Sequence, residues 1–98
     1  MNVQALLKQA QKMQSDLIKI EQELEMRTYV EENDLVCVEC DGKYHITAIK
    51  IKSKNLEDLD ILQDMIAVTV NKVIEKAKIE HEQELAKITG GVKMPGAF

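Results

Sequence analysis

Two cysteines and two histidines are the side chains in this sequence best suited to metal or redox chemistry. Cys37 and Cys40 form a C-x-x-C pair, a spacing found in zinc sites and redox-active proteins. The surrounding pattern indicates a β-strand, in which residues three apart point to opposite faces of the sheet. There is no second C-x-x-C pair, and His45 and His81 are not at zinc-finger spacing. We therefore expect free thiols, typical of a reducing cytoplasm, no metal site, and a packed structural role for His81.

Seven lysines on two predicted helices are the candidate contacts for an anionic partner. Lys8, Lys12 and Lys19 lie along one strip of the first helix. The last helix carries four more, which are Lys72, Lys76, Lys78 and Lys87. Lysines bind phosphate oxygens as point charges, which conveys little sequence information. The net charge of −4 argues against a strongly cationic nucleic-acid wrapper. Because acidic residues interleave with the lysines of the last helix, we expect modest affinity with strong salt dependence.

The sequence lacks the residue combinations that enzymes require. It has no nucleophile–base pairing, no glycine-rich phosphate loop and no cluster of metal ligands. Its many carboxylates fall on helical faces whose pattern indicates exposure to solvent. We therefore expect no catalytic residues, no cofactor and no small-molecule substrate.

Length and hydropathy favour one small domain in the cytoplasm. The 98 residues fit a single domain, 1–98, with a flexible tail from about residue 89. A chain of this size buries roughly 60–65% of its unfolded surface, which makes it marginal as a monomer. No apolar run approaches the roughly 18 residues of a membrane span, and the N-terminus lacks a signal-peptide layout.

A long first helix, residues 2–26, is predicted from an unbroken apolar seam. Its members are spaced alternately three and four residues apart, a period of 3.5, and are Val3, Leu6, Ala10, Met13, Leu17, Ile20 and Leu24. At 1.5 Å per residue the helix would be roughly 35 Å long, more than a three-stranded sheet can cover. Part of it should project or pair with another helix.

Three strands, at about 27–32, 35–41 and 44–52, are predicted to form an antiparallel meander. Asp41-Gly42 indicates a turn, because glycine tolerates positive φ. Ile46 and Ile49 are three apart, so we predict a β-bulge near Ala48 that returns the later isoleucines to one face. Leu35 and Cys37 make the opposite face partly apolar as well. Both faces then need a cover, and a second copy of the chain could supply one.

A second long helix is predicted from about residue 60 to 88. Asp60 and Gln63 resemble a capping box, and a short turn is expected near 55–58. The first half of the helix is apolar nearly all round and should lie buried against the sheet. The second half has one apolar stripe and should pair with the first helix as an arm. The fold class is therefore α+β, in the order α-β-β-β-α.

Four segments in this order make the chain resemble the YbaB/EbfC family of bacterial nucleoid-associated proteins. They are LLKQAQKMQ (6–14), V-x-V-x-x-x-G-x-x-x-I-x-x-I-x-I (36–51), LQDMI (62–66) with Asn71, and MPG-x-F (94–98). The resemblance implies a tweezer-like homodimer with projecting helical arms. It also implies that the protein binds double-stranded DNA in the nucleoid, in nucleoid organisation or gene regulation, without catalysis.

The sequence departs from the family pattern in four places. The acidic stretch 31–34 replaces a glycine-rich turn, Thr69 and Val73 replace alanines, and Lys52 stands where an aspartate is common. The acidic balance leaves a second hypothesis, a non-catalytic protein-interaction module that grips a partner helix between its arms. Charge-reversing substitutions of lysines and substitutions of seam residues distinguish the two.

Overall fold

A computed structural model describes residues 2–52 and 58–90 of the chain. The order α-β-β-β-α is confirmed, and the fold is α+β. The elements are α1 (Val3–Glu25), β1 (Thr28–Glu32), β2 (Val36–Asp41), β3 (Ile46–Ile51) and α2 (Leu59–Thr89). The short turn expected near 55–58 falls largely outside the described residues, and the tail expected from residue 89 lies outside them beyond Gly90.

Both helices begin at side-chain caps and α2 ends at a glycine. The Asn2 side chain accepts a hydrogen bond from the Ala5 amide, and Asp58 accepts one from the Ile61 amide. The predicted cap at Asp60 was therefore two residues too late, because the helix already starts at Leu59. Gly90 adopts φ 67°, the left-handed conformation that favours glycine after a helix C-terminus.

The sheet is an antiparallel meander in the order β1-β2-β3, with the predicted bulge on its last strand. Glu39 pairs with Ala48, but the next pair is Cys40 with Ile46, so Thr47 is the extra residue. Beyond the bulge, Val38 pairs with Ile49. Directly paired residues share a face, so the bulge does place the three isoleucines of β3 on one face.

The core lies between one face of the sheet and α2. Val36, Val38 and Cys40 are fully buried there beneath Val73 and Ala77. Only one side of the apolar first half of α2 is buried, since Ile61 and Val68 remain exposed. The prediction that this half lies buried against the sheet therefore holds for one side of the helix only.

The opposite face of the sheet is mainly polar rather than apolar. Leu35 packs against the same core as α2 does, not on the opposite face as expected. The opposite face carries Thr28, Glu32, Glu39 and Lys50, together with the apolar residues Val30, Cys37 and Ala48, so it is partly apolar as predicted. Helix α2 packs on β1 and β2 and leaves the isoleucines of β3 partly exposed. A further cover is therefore needed beside α2 on the same face.

The turn between β1 and β2 is held by a side chain rather than by glycine. Asn33 accepts hydrogen bonds from the amides of Leu35 and Val36 through its Oδ1. Its Nδ2 donates to the Thr69 hydroxyl at 2.9 Å, and that hydroxyl donates to the Met65 carbonyl at 2.6 Å. Two departures from the family pattern, the turn sequence and Thr69, therefore contact each other.

The β2–β3 turn packs tightly against the end of α1. A side chain at Gly42 would place its Cβ 1.7 Å from the Leu24 carbonyl oxygen, so only glycine fits. Positive φ occurs at Tyr44 (65°), not at Gly42 as the turn dipeptide suggested. The Asp41 carboxylate accepts hydrogen bonds from the amides of Lys43 and His45, which fixes the turn.

The two helices pair to form an arm, as predicted. Leu17 and Leu24 of α1 are buried, as are Ala77 and Leu85 of α2. We use "arm" for α1 with residues 74–89 of α2, and "head" for the sheet with residues 59–73. The molecule is elongated, with principal extents of 70 × 19 × 18 Å.

Candidate nucleic-acid interface

The lysines of α1 form one strip on the outer side of the arm. At 100° per residue, Lys8, Lys12 and Lys19 fall within about 40° of one another. The same spacing places them opposite Leu17 and Leu24, the residues that pack on α2. All three are exposed, and within residues 2–52 and 58–90 none has a carboxylate within 4.0 Å. Three uncompensated cations on a rigid helix are suited to contact phosphates.

Three of the four α2 lysines, Lys72, Lys76 and Lys87, fall within about 60° of one another, but two of them lie close to carboxylates. The Lys76 ammonium donates to the Val30 carbonyl at 2.9 Å and lies 3.6 Å from the Glu31 carboxylate. Lys87 is 3.1 Å from Glu84 on the same helix. Both cations are therefore partly neutralised. These side chains are also exposed, so their ion pairs are weak.

Lys72 and Lys78 differ from these two in their surroundings. Lys72 is exposed and makes no ion pair with any described residue. It borders a shallow cleft with Lys76, and because Glu31, Glu75 and Glu80 line that cleft too, the charge there is mixed. Lys78 lies on another side of α2, with its ammonium 5.8 Å from the centre of the Tyr44 ring.

A cluster of aromatic rings joins the arm to the head. The Tyr44 hydroxyl and His81 Nδ1 are 2.9 Å apart, and the Tyr29 ring lies 6.2 Å from the imidazole. Burial is the main cause that lowers the pKa of His81, although carboxylates nearby oppose it. Burial, together with the Glu80 carboxylate, raises the pKa of Tyr29. His81 is therefore half-buried at this joint, and the packed or half-exposed structural role expected for it stays a prediction.

An arginine just before the first strand forms ion pairs at the same joint. The Arg27 guanidinium lies 3.4 Å from Glu80 and 3.9 Å from Glu84, both on α2. It therefore links the end of α1 to the second helix. Because the side chains are partly exposed, the pairs help to orient the arm more than they stabilise the fold.

The two cysteines are free and lie on opposite faces of β2, as the strand pattern predicts. Cys40 is buried with its Sγ 3.8 Å from the Val73 carbonyl, and burial raises the pKa of its thiol. Cys37 is half-buried on the other face. Among the described residues, no three His, Cys, Asp or Glu side chains are placed to share a metal ion. None of the described helices has the length and apolarity to cross a membrane.

Comparison with known proteins assigns the family. The model of the YbaB/EbfC DNA-binding family matches residues 1–92. The chain belongs to this family. A nucleoid-associated protein of Pelotomaculum thermopropionicum is 40% identical over 102 residues, covering 99% of this chain and 96% of the relative. Proteins with the same description from Clostridium novyi and Acetivibrio thermocellus are 38% and 39% identical, covering 100% and 99% of this chain and 90% of each relative.

Several residues that shape the head or position the arm of this YbaB/EbfC protein could not be found from spacing alone. Gly42 carried a turn signal, but its contact with α1 needs the folded chain. Ordinary turn or strand propensity was the only signal at Tyr44, Arg27 and Asn33. Their contacts with His81, Glu80 and Thr69 join residues that are 36 or more positions apart in the sequence. The lysine strip, by contrast, follows directly from helical spacing.

Proposed function

We propose that this protein binds double-stranded DNA as a homodimer and contributes to nucleoid organisation or gene regulation. The observation that carries the proposal is the strip of unpaired lysines on the outer face of α1. Membership of a DNA-binding family and relatives described as nucleoid-associated proteins support it. The proposed location is the nucleoid, within the cytoplasm.

The proposed contacts divide into a primary and a secondary set. The primary set is Lys8, Lys12 and Lys19, since they are exposed and have no described carboxylate partner. The secondary set is on α2 and comprises Lys72, Lys76, Lys78 and Lys87. Binding through ammonium–phosphate pairs carries little sequence specificity. The primary lysines of both protomers, about six in a dimer, would give roughly a 10³-fold loss of affinity between 50 and 200 mM salt.

The proposed dimer would cover the exposed isoleucines of β3. Ile49 and Ile51 are 45% and 48% exposed, although each pairs with a fully buried valine of β2. On α2, Ile66, Val70 and Ile74 follow one face at a spacing of four and are only half-buried against the core. Exposed apolar surface of this kind marks an interface. A second copy related by a two-fold axis would bring two such surfaces together and leave both arms projecting.

The DNA proposal is tested by fluorescence anisotropy with a labelled duplex at 50 and 150 mM salt. K8Q/K12Q removes two lysines of the strip, and K43Q/K50Q removes two exposed lysines of the head as a matched control. We expect K8Q/K12Q to weaken binding and to lower the salt slope by about four, because the dimer then lacks four ammonium groups that would pair with phosphates. The control should bind within about two-fold of the wild type, since its lysines are not proposed to contact DNA.

Absence of binding by the wild type at low salt would contradict the DNA proposal and favour the partner-helix alternative. Equal weakening in both variants would show that total charge, rather than the strip, governs binding. The dimer is tested separately by sedimentation velocity of I49D. Because Ile49 is already half-exposed, its substitution should leave the monomer folded, by circular dichroism, and abolish the dimer. An unchanged mass would contradict this interface.

A further inference from the structure

The distal half of α1, residues 2–13, carries an apolar seam that the described chain does not cover. The seam is continuous with the one that packs on α2, where Leu17 is 8% and Leu24 0% exposed. Towards the N-terminus the exposure rises sharply, to 51% at Leu6 and 62% at Val3. The helix is therefore amphipathic for its whole length, but only its proximal half, residues 14–25, has a described partner.

The residues flanking the seam differ between the two halves. In the heptad register of the seam, the flanking positions of the proximal half include Asp16, Glu21 and Glu23. The flanking positions of the distal half are Asn2, Leu7 and Gln9, all uncharged, and so is Gln14 at the boundary between the halves. Two copies of the distal half can therefore approach each other without like-charge repulsion, whereas two copies of the proximal half cannot.

We propose that the distal half of α1 is a self-association site that binds the same segment of another copy in antiparallel orientation. Two observations select a second copy as the occupant: continuity with a seam already used for helix pairing, and uncharged flanks suited to self-pairing. Antiparallel pairing joins two arms tip to tip. Parallel pairing would instead set the acidic proximal halves side by side.

The antiparallel register also matches residue sizes across the seam. Centring the pair on residue 8 places Leu6 opposite Ala10 and Val3 opposite Met13, so that a large residue meets a smaller one in each layer. The dipoles of the two helices then oppose each other, which is favourable. Lys8 and Lys12 lie on the outer side of this pair, so tip association leaves the lysine strip accessible to DNA.

The association is weak and concentration-dependent, because fewer than two heptads are available for it. It is independent of the proposed DNA binding and of the β3 interface. In a molecule that dimerises through β3, tip pairing joins dimers into larger assemblies. In a molecule that does not, the same pairing produces a dimer. A variant that removes the β3 interface and a variant that removes the α1 tip interface therefore distinguish the two.

Sedimentation velocity of the full chain over a range of concentrations tests the site. V3Q/L6Q makes two exposed seam residues polar, and I18Q is the matched control. Ile18 is also an exposed apolar residue of α1, but it lies outside the seam. We expect the average mass of the wild type and of I18Q to rise with concentration, and that of V3Q/L6Q to stay constant. Circular dichroism should show the same helix content in all three.

Disulfide trapping tests the orientation. In L6C/A10C, antiparallel pairing predicts cross-links between position 6 of one copy and position 10 of the other, identified by peptide mapping. K8C, on the outer face, should not cross-link. A wild-type mass that is constant with concentration would overturn the proposal, as would unchanged association of V3Q/L6Q. Links joining position 6 only to position 6 would overturn the antiparallel arrangement.

Discussion

The two halves of α1 share one helical repeat but have opposite surroundings. The proximal half buries Leu17 and Leu24 against α2 and carries Asp16, Glu21, Glu23 and Glu25. The distal half leaves its seam exposed and has Lys8 and Lys12 as its only charged residues. The difference shows that a periodic apolar pattern defines a face, whereas the length of the neighbouring helix decides where that face is covered.

The difference also separates stability from association within one helix. The proximal half packs on α2 through Leu17 and Leu24, and its last turn contacts the head at Gly42. The distal half contributes little to the fold of a single chain and presents two surfaces, one apolar and one basic. Substitutions that act on one half and spare the other therefore test the comparison directly, provided that protein concentration is held fixed in each stability measurement.

The largest contrast is expected between two leucine-to-alanine substitutions. Leu24→Ala removes a fully buried side chain and should lower the free energy of unfolding by about 2–5 kcal/mol. Leu6→Ala removes an exposed one and should change it by no more than about 0.5 kcal/mol. Urea denaturation followed by circular dichroism measures both. Similar decreases would mean that the distal half is as tightly packed as the proximal half.

Gly42→Ala should weaken the joint between the arm and the head. The added Cβ would overlap the backbone of Leu24, which cannot move aside as a flexible side chain would. We expect the free energy of unfolding to fall by about 1–3 kcal/mol or more in the same denaturation experiment. Lys43→Ala, at the neighbouring exposed position, is the control and should be nearly neutral. A neutral Gly42→Ala would show that the close packing of the turn on the helix is not required.

Thr69→Ala tests the head while leaving the arm untouched. The substitution deprives Asn33 Nδ2 of its partner at 2.9 Å and should cost about 1 kcal/mol. Thr69→Ser keeps the hydroxyl and should retain most of that stability. If alanine were as stable as threonine, the hydrogen bond between the turn and α2 would contribute nothing net.

Acidification should loosen the joint by a smaller amount. Because burial lowers the pKa of His81 below its usual 6.5, the unfolded chain takes up the proton first as the pH falls. The stabilising contribution is therefore present above pH 6.5 and is lost as the pH falls from there towards the lower folded value. Thermal unfolding at about pH 7.5 and about pH 5.5 should show a larger decrease in Tm for the wild type than for His81→Asn.

The carboxylates whose pKa values are lowered do not contribute to the change in Tm over this pH interval. The pKa of Asp41 is lowered by the hydrogen bonds it accepts from the turn amides, and that of Glu32 by its bond with Lys52. Their contributions are lost at more acidic pH than that of His81. An equal decrease in Tm for both proteins over the same pH interval would exclude His81 as the cause.

Most of the element order and the position of the lysine strip could be predicted because they depend on local spacing. The helix and strand bounds agree with the expectations to within about two residues, and Thr47 provides the predicted bulge. Long-range pairings could not be predicted in this way. No periodic pattern in the sequence indicates the Asn33–Thr69 hydrogen bond or the packing of Gly42 on Leu24.

By itself, the sequence determined which residues share a face, because helix and strand geometry repeat at about 3.6 and about 2 residues. Those repeats define the apolar seam of α1, the lysine strip opposite it and the alternating core of β2. Only the tertiary structure decided how far those faces are covered. Helix α2 lies over β1 and β2 but not β3, and it covers only the proximal half of α1. The uncovered surfaces follow from the lengths and placement of packed elements, which no local repeat encodes.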